Sequence, residues 1–229
     1  MESGDCSQCR SKTMILITRL LLLMSLAMGM EAWGADAYYT AAPIEAWVVD
    51  ADTGAPIEGA VVTANWQLVG FSYDTGGRKL GQLEVMETVT DRNGRFHFPG
   101  FTKVNASGNV LREEDPQILV FKSGYRYLRA TNQYPIGKEG EQGTYRKSPI
   151  IGQRLKMKRA DEDIKKYASN LGFLSDYLAT IANARGAEGI PRMIRALACE
   201  RQRLRTIDPT IGSIPVPGTT NLEADCGFK

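Results

Sequence analysis

Apolar and polar residues alternate along several short stretches of the first two-thirds of this chain, and that period of two predicts strands. Between Pro43 and Asp50, Ile44, Ala46 and Val48 alternate with Glu45, Trp47 and Val49, a strand with both faces at least partly covered. Further strands are expected at Val61–Leu68, at Gln82–Thr90, on the return through Phe96 and Phe98, at Gln117–Phe121, at Tyr125–Leu128 and at Ile150–Met157. Phe96 and Phe98 fall on one face and Arg95 and His97 on the other, so the phenylalanines are core candidates. The turn signals are specific. Asp52-Thr53-Gly54 with Pro56 and then Gly59-Ala60 turns the chain, because glycine takes positive φ and proline pre-sets its own φ. Asp91-Arg92-Asn93-Gly94 carries the Asn-Gly pair of a tight hairpin. The stretches 71–81, 103–115 and 134–147 read as polar or Gly-rich loops.

After Lys158 the period changes. Ile164, Tyr167, Leu171, Leu174, Leu178 and Ile181 recur every three or four residues, as on an amphipathic helix. Gly186 and Gly189 stop it, Pro191 suits the first turn of a second helix, and Ile194, Leu197 and Ala198 give that helix an apolar side. The fold class is therefore mainly β with an α extension: a seven-stranded Ig-like or prealbumin-like antiparallel β-sandwich at 38–158, two antiparallel helices at 159–206 and a coil tail at 207–229.

The amino-terminal 37 residues read as a signal peptide. Arg10, Lys12 and Arg19 precede an apolar run from Leu20 to Met30 that is too short for a bilayer crossing, and Ala35-Asp36-Ala37 or Ala32-Trp33-Gly34 offers the small-x-small cleavage pattern. The alternative is an uncleaved anchor. Translation starts at Met1, or at Met14 to give a more compact leader, and either way Cys6 and Cys9 are expected outside the mature protein. Cys199 and Cys226 remain, and an isolated pair in an oxidising compartment is expected to form a disulfide. Periplasmic or extracellular localisation follows.

Charge excludes one class. The chain carries a formal net charge of +2, and losing the leader makes it only one unit more positive, too little for a nucleic-acid partner. His97 is the sole histidine, neither Ala106-Ser107-Gly108 nor Lys122-Ser123-Gly124 has a nucleophile-elbow frame, and no catalytic, metal or cofactor site is assigned. Asp91-x-Asn93-Gly94 begins like a calcium loop, but Arg95 stands where an oxygen ligand is wanted. Asp50 and Asp52 would join Asp91 around a cation only if the two turns met. Arginines 185, 192, 195, 201, 203 and 205 concentrate charge near the second helix as a solvated face. Trp47, Trp66 and tyrosines 125, 127 and 134 are candidates for a sugar-stacking platform, with core or edge packing as the competing role.

Val48-Val49-Asp50, Thr53-Gly54, Pro56-Ile57, Gly59-Ala60, Val62, Thr90-Asp91, Gly94, Phe96 and Phe98, with Ile118-Leu119-Val120 and Gly124-Tyr125, resemble the carboxypeptidase regulatory-like domain. That family is a transthyretin-like or prealbumin-like β-sandwich of bacterial secreted and envelope proteins, and the resemblance covers roughly residues 43 to 130. It implies a scaffold, in which Thr53, Gly54, Pro56, Gly59, Asp91, Asn93 and Gly94 are structural turn residues. No zinc-peptidase constellation accompanies it, since no H-x-x-E can be written around His97. The expected function is a non-catalytic module with a structural or protein-interaction role in the cell envelope. Its partner is a protein or an envelope polymer, and it meets a membrane only through an uncleaved leader. A carbohydrate-binding or enzyme-accessory module would instead show exposed aromatics in a row on one sheet face, and a hydrolase a deep polar pocket containing His97.

Overall fold

The computed structural model describes residues 38–72, 77–111, 115–131, 145–185 and 187–212, with 216, 217 and 226; for 71–80 and 182–187 the backbone alone is considered. The leader, Cys6, Cys9, Tyr134 and most of the tail lie outside these residues. Within them are eleven strands: β1 (Tyr38–Ala41), β2 (Ile44–Asp50), β3 (Val61–Ser72), β4 (Gly77–Val89), β5 (Arg95–Phe98), β6 (Phe101–Val104), β7 (Val110–Leu111), β8 (Gln117–Phe121), β9 (Leu128–Ala130), β10 (Tyr145–Arg146) and β11 (Arg154–Met157). Two helices follow, α1 (Ile164–Arg185) and α2 (Pro191–Ile207).

Eleven strands fill seven positions. One sheet runs β4-β3-β8-β9, with β7 also on β3; the others run β10-β1-β6 and β11-β2-β5. In these two small sheets each strand of one leads into its counterpart in the other: β1 into β2 across Ala42-Pro43, β5 into β6 across Pro99-Gly100, and β10 into β11 across 147–153. They form a three-strand layer interrupted where prolines cannot donate to the ladder. The space beside Gly100 is closed as well, because a Cβ there would lie 2.8 Å from the Ala41 carbonyl.

The antiparallel expectation needs correction. β11 pairs with β2, and β10 with β1, in parallel. These strands arrive from β9 in the facing sheet rather than through a hairpin, so nothing imposes the antiparallel direction on them. Within the stretch 71–81, expected as a loop, Phe71, Ser72 and residues 77–81 are strand. β3 and β4 stay in register from Val61↔Val89 to Ser72↔Gly77, interrupted by one bulge at Trp66/Gln67. A continuous ladder keeps these backbone groups paired despite the polar composition. In 134–147, Tyr145 and Arg146 are strand, and the last strand begins at Arg154 because Pro149–Gly152 forms a turn.

Two cores result from the alternation. Ala46, Val48, Val62, Ala64, Trp66, Phe96, Phe98, Ile118 and Val120 pack between the layers. On the other side of the four-stranded sheet, Val61, Leu119 and Phe121 meet Tyr167, Leu171, Leu174, Leu178 and Ile181 of α1 and Ile194, Leu197 and Ala198 of α2. Each large buried side chain contributes about 1.5–3 kcal/mol relative to exposure. The helices are thus a third layer rather than an appendage. Among the described residues, no helix is long and apolar enough to cross a membrane.

The helix starts explain the docking. Asp163 caps α1 by accepting the Lys165 N–H at 2.8 Å. Ile190, before α2, has no capping side chain; Glu87 on β4 replaces it, accepting the Arg192 N–H at 2.8 Å and the Met193 N–H at 2.7 Å. A cap from another layer fixes the position of the helix as well as satisfying its end. Glu87→Ala is expected to cost about 1–2 kcal/mol in chemical denaturation. Amide exchange at Arg192 and Met193 should rise before that of the sandwich, and unchanged exchange there would count against the cap.

Cys199 on α2 is joined to Cys226, 27 residues away in sequence. The link ties the tail, whose Ile211 and Val216 are buried, to the helical layer. Cys199→Ser with Cys226→Ser is expected to lower stability by about 2 kcal/mol, within the usual range for a disulfide. A thiol titration of the denatured, unreduced chain lacking residues 1–37 should find none free.

Candidate binding face

The two turn blocks meet at one end of the sandwich. Gly94 (φ 72°) sits directly on the strand end: its carbonyl accepts the Val48 N–H at 2.7 Å, and the Val48 carbonyl accepts the Ile57 N–H at 3.0 Å. Gly54 (φ 70°) makes the neighbouring turn, and Pro56 bridges Val49. Thr90 joins the blocks by donating to the Ile57 carbonyl at 2.7 Å and accepting the Ala60 N–H at 2.8 Å, next to Gly59.

Although the turns meet, their carboxylates are not free for a cation. Asp91 accepts the Asn93 and Arg95 N–H groups, each at 2.9 Å, and so shapes its own turn. Asp50 is 2% exposed and accepts from five donors: the N–H of Asp52 and Thr53, the Thr53 hydroxyl, the Tyr125 hydroxyl at 3.0 Å and Arg159 Nε at 2.9 Å. The Thr53 N–H and then the Arg159 guanidinium hold its carboxyl well below the usual range. The cation at this end is Arg159. Among the described residues no group of three His, Cys, Asp or Glu side chains converges as metal ligands.

A second buried carboxylate secures the helices. Glu200 on α2, also 2% exposed, accepts from Arg203 Nε at 2.9 Å and Nη2 at 2.6 Å and from Ser123 Oγ at 2.5 Å. Burial alone would raise its pKa, but these donors overcome it and hold the carboxyl below the ordinary value. A pocket of about 210 Å³ opens beside it, with an apolar floor of Val61, Phe121 and Ala196 and with Lys122, Ser123 and Cys199 at its wall. His97 lines no part of it. That residue is exposed on β5 opposite Glu45.

The solvent side of the three-strand layer is different. At one end Tyr38 (51% exposed) stands in register with Val104 (77%), and Tyr145 (56%), Thr40 and Thr102 form the next row, the two threonine hydroxyls 2.8 Å apart. None of these five is charged. Beyond the proline break, Arg154, half-buried Trp47 and Arg95 form one row across β11, β2 and β5, flanked by Lys156 on β11 and by Glu45 and His97. Glu45 is the one carboxylate among these positions, and it is already bonded to Arg95, whose hydrogen bond lowers its pKa.

Of the sugar-platform candidates, the described ones do not come together, and core or edge packing accounts for most of them. Trp66 is buried against Phe101, Tyr125 bonds Asp50, and Tyr127 packs on Tyr177. Trp47 does reach the solvent layer, and its companions are Tyr38 and Tyr145. Both tyrosines were legible as alternating neighbours of Tyr39 and Arg146, but only the pairing of β10 with β1 brings them together. The arginines of α2 are likewise dispersed: Arg192, Arg195 and Arg205 are exposed, whereas Arg203 is committed to Glu200.

No protein-family model matches the sequence, and no curated protein matches it. Among solved structures, the chain is similar to the Streptococcal ancillary pilin at 14% identity over 53% of this chain and 30% of that one, with TM-score 0.27. It is similar to the group B streptococcus pilus 2b backbone protein at 15% identity over 52% and 42%, with TM-score 0.28. It is also similar to catechol 1,2-dioxygenase from Pseudomonas arvilla C-1 at 14% identity over 57% and 55%, with TM-score 0.29. This chain spans less than two-thirds of each, and scores this low bear on neither activity nor partner.

Proposed function

We propose that this chain is a non-catalytic, exported β-sandwich module of the cell envelope that acts by binding, through the solvent face of its three-strand layer. One contrast carries the reading: the buried carboxylates Asp50 and Glu200 are saturated by donors that hold the fold together, while the outer layer presents aromatic, hydroxyl and cationic side chains to solvent. The leader-like amino terminus and the resemblance to the carboxypeptidase regulatory-like family support export and a scaffold role. Function inferred from a scaffold is analogy, so the test has to be direct.

The protein should be isolated from its native envelope after chemical crosslinking, with its neighbours identified by mass spectrometry. The same neighbours should recur and should diminish when Tyr38 and Tyr145 are replaced by alanine. A hydrolytic activity that disappears with His97→Ala would overturn the reading.

A further inference from the structure

Resting on that reading, we infer that the outer layer binds an acidic polysaccharide, laid along the strands from Tyr38 and Tyr145 at one end to Arg154 and Lys156 at the other. Charge favours this occupant. Among the described residues, Arg154 and Lys156 have no acidic partner, and both are exposed. Among the described residues the face's one carboxylate, Glu45, is neutralised by Arg95 in the adjacent row. Among the described residues the basic half therefore has positive charge to offer and no unpaired carboxylate to repel an anion.

The uncharged half selects a sugar over a plain polyanion. Tyr38 and Tyr145 stand on adjacent strands, two residues apart in register, with Cα atoms roughly 8 Å apart. Phenol rings at that spacing offer flat apolar surfaces with a polar edge, which suits the two characters of a pyranose. Beside them, in the row of Tyr145, the Thr40–Thr102 hydroxyl pair retains one proton and several lone pairs to exchange with sugar hydroxyls. Half-buried Trp47, between Arg154 and Arg95, continues the aromatic line into the basic half. The Arg154 guanidinium there matches carboxylate or phosphate oxygens in a bidentate geometry, with Lys156 beside it as a second positive charge.

The test is affinity electrophoresis of the intact exported protein through gels containing polygalacturonate or neutral dextran. Retardation is expected in polygalacturonate only, and it should weaken as salt is raised. Arg154→Glu with Lys156→Glu should lower the affinity about tenfold or more, and Tyr38→Ala with Tyr145→Ala several-fold although no charge changes. All four residues are exposed, so thermal melting should be nearly unchanged in both variants. Absence of retardation overturns the inference. So does retardation that survives the charge reversals, which places the site elsewhere, or retardation indifferent to the tyrosines, which reduces it to ion exchange. If the gel fails while crosslinked protein neighbours still depend on the tyrosines, the polysaccharide is wrong and the binding-module reading stands; if the neighbours are lost too, both fall.

Discussion

Replacing Gly94 with alanine is expected to destabilise the sandwich by about 3–5 kcal/mol, measured as a shift of the denaturation midpoint at constant m. Two costs combine. Gly94 has φ 72°, a conformation that disfavours any L side chain by about 1–2 kcal/mol. The added Cβ would also lie 2.4 Å from the Val48 carbonyl and 3.1 Å from the Ile57 nitrogen, which are backbone atoms of the other turn block. They cannot rotate away. Gly54→Ala supplies the comparison, because its φ is 70° and nothing lies within 4 Å of its Cβ. That variant should lose only the conformational cost. Equal losses at the two glycines would show that the junction between the blocks is not tightly packed.

Glu200→Ala is expected to cost about 3 kcal/mol, toward the lower end for breaking a buried ion pair, because Arg203 is about one-third exposed and can turn to water. Ser123 also loses its acceptor, and the Tyr167 hydroxyl beside it loses the neighbour whose charge, after burial, raises its pKa. The pH dependence identifies the charge. Glu200 is held below its unfolded value, so its contribution is fully present above the ordinary glutamate range and is lost as pH falls through the folded-state value. Glu200→Gln should therefore differ most from the parent at neutral pH, and the two should converge in acid. A gap that stays constant with pH would mean that packing, not charge, holds α2 in place.

These two positions were not equally visible in the sequence. Asp91-Arg92-Asn93-Gly94 announces a turn by itself, since the residue types needed for positive φ and side-chain capping are local. Glu200, by contrast, reads as an ordinary charge on an amphipathic helix, and only the approach of the 122–124 turn to α2 makes it buried. Strand interiors followed the same logic. Phe96 and Phe98 point inward as alternation requires, while 71–81 looked like loop because a ladder of paired backbone leaves no mark on side-chain composition. Arg159 illustrates the distance involved: it lies 109 residues from the Asp50 whose charge it balances.

By itself the sequence determined β2, β5, β8 and most of β3, β4 and β11, the two helices, the turn glycines and the cysteine pair, because periodicity and special φ angles are properties of neighbouring residues. Only the tertiary structure decided that the helices cover the second sheet, that β10 and β11 close the first in parallel, and that Asp50 is neutralised by Arg159. It also decided which aromatics face solvent. Tyr38 and Tyr145 are separated by more than a hundred residues, and Trp47 and Arg154 by just as many, so no local pattern can place them on one face; strand pairing does so through register alone.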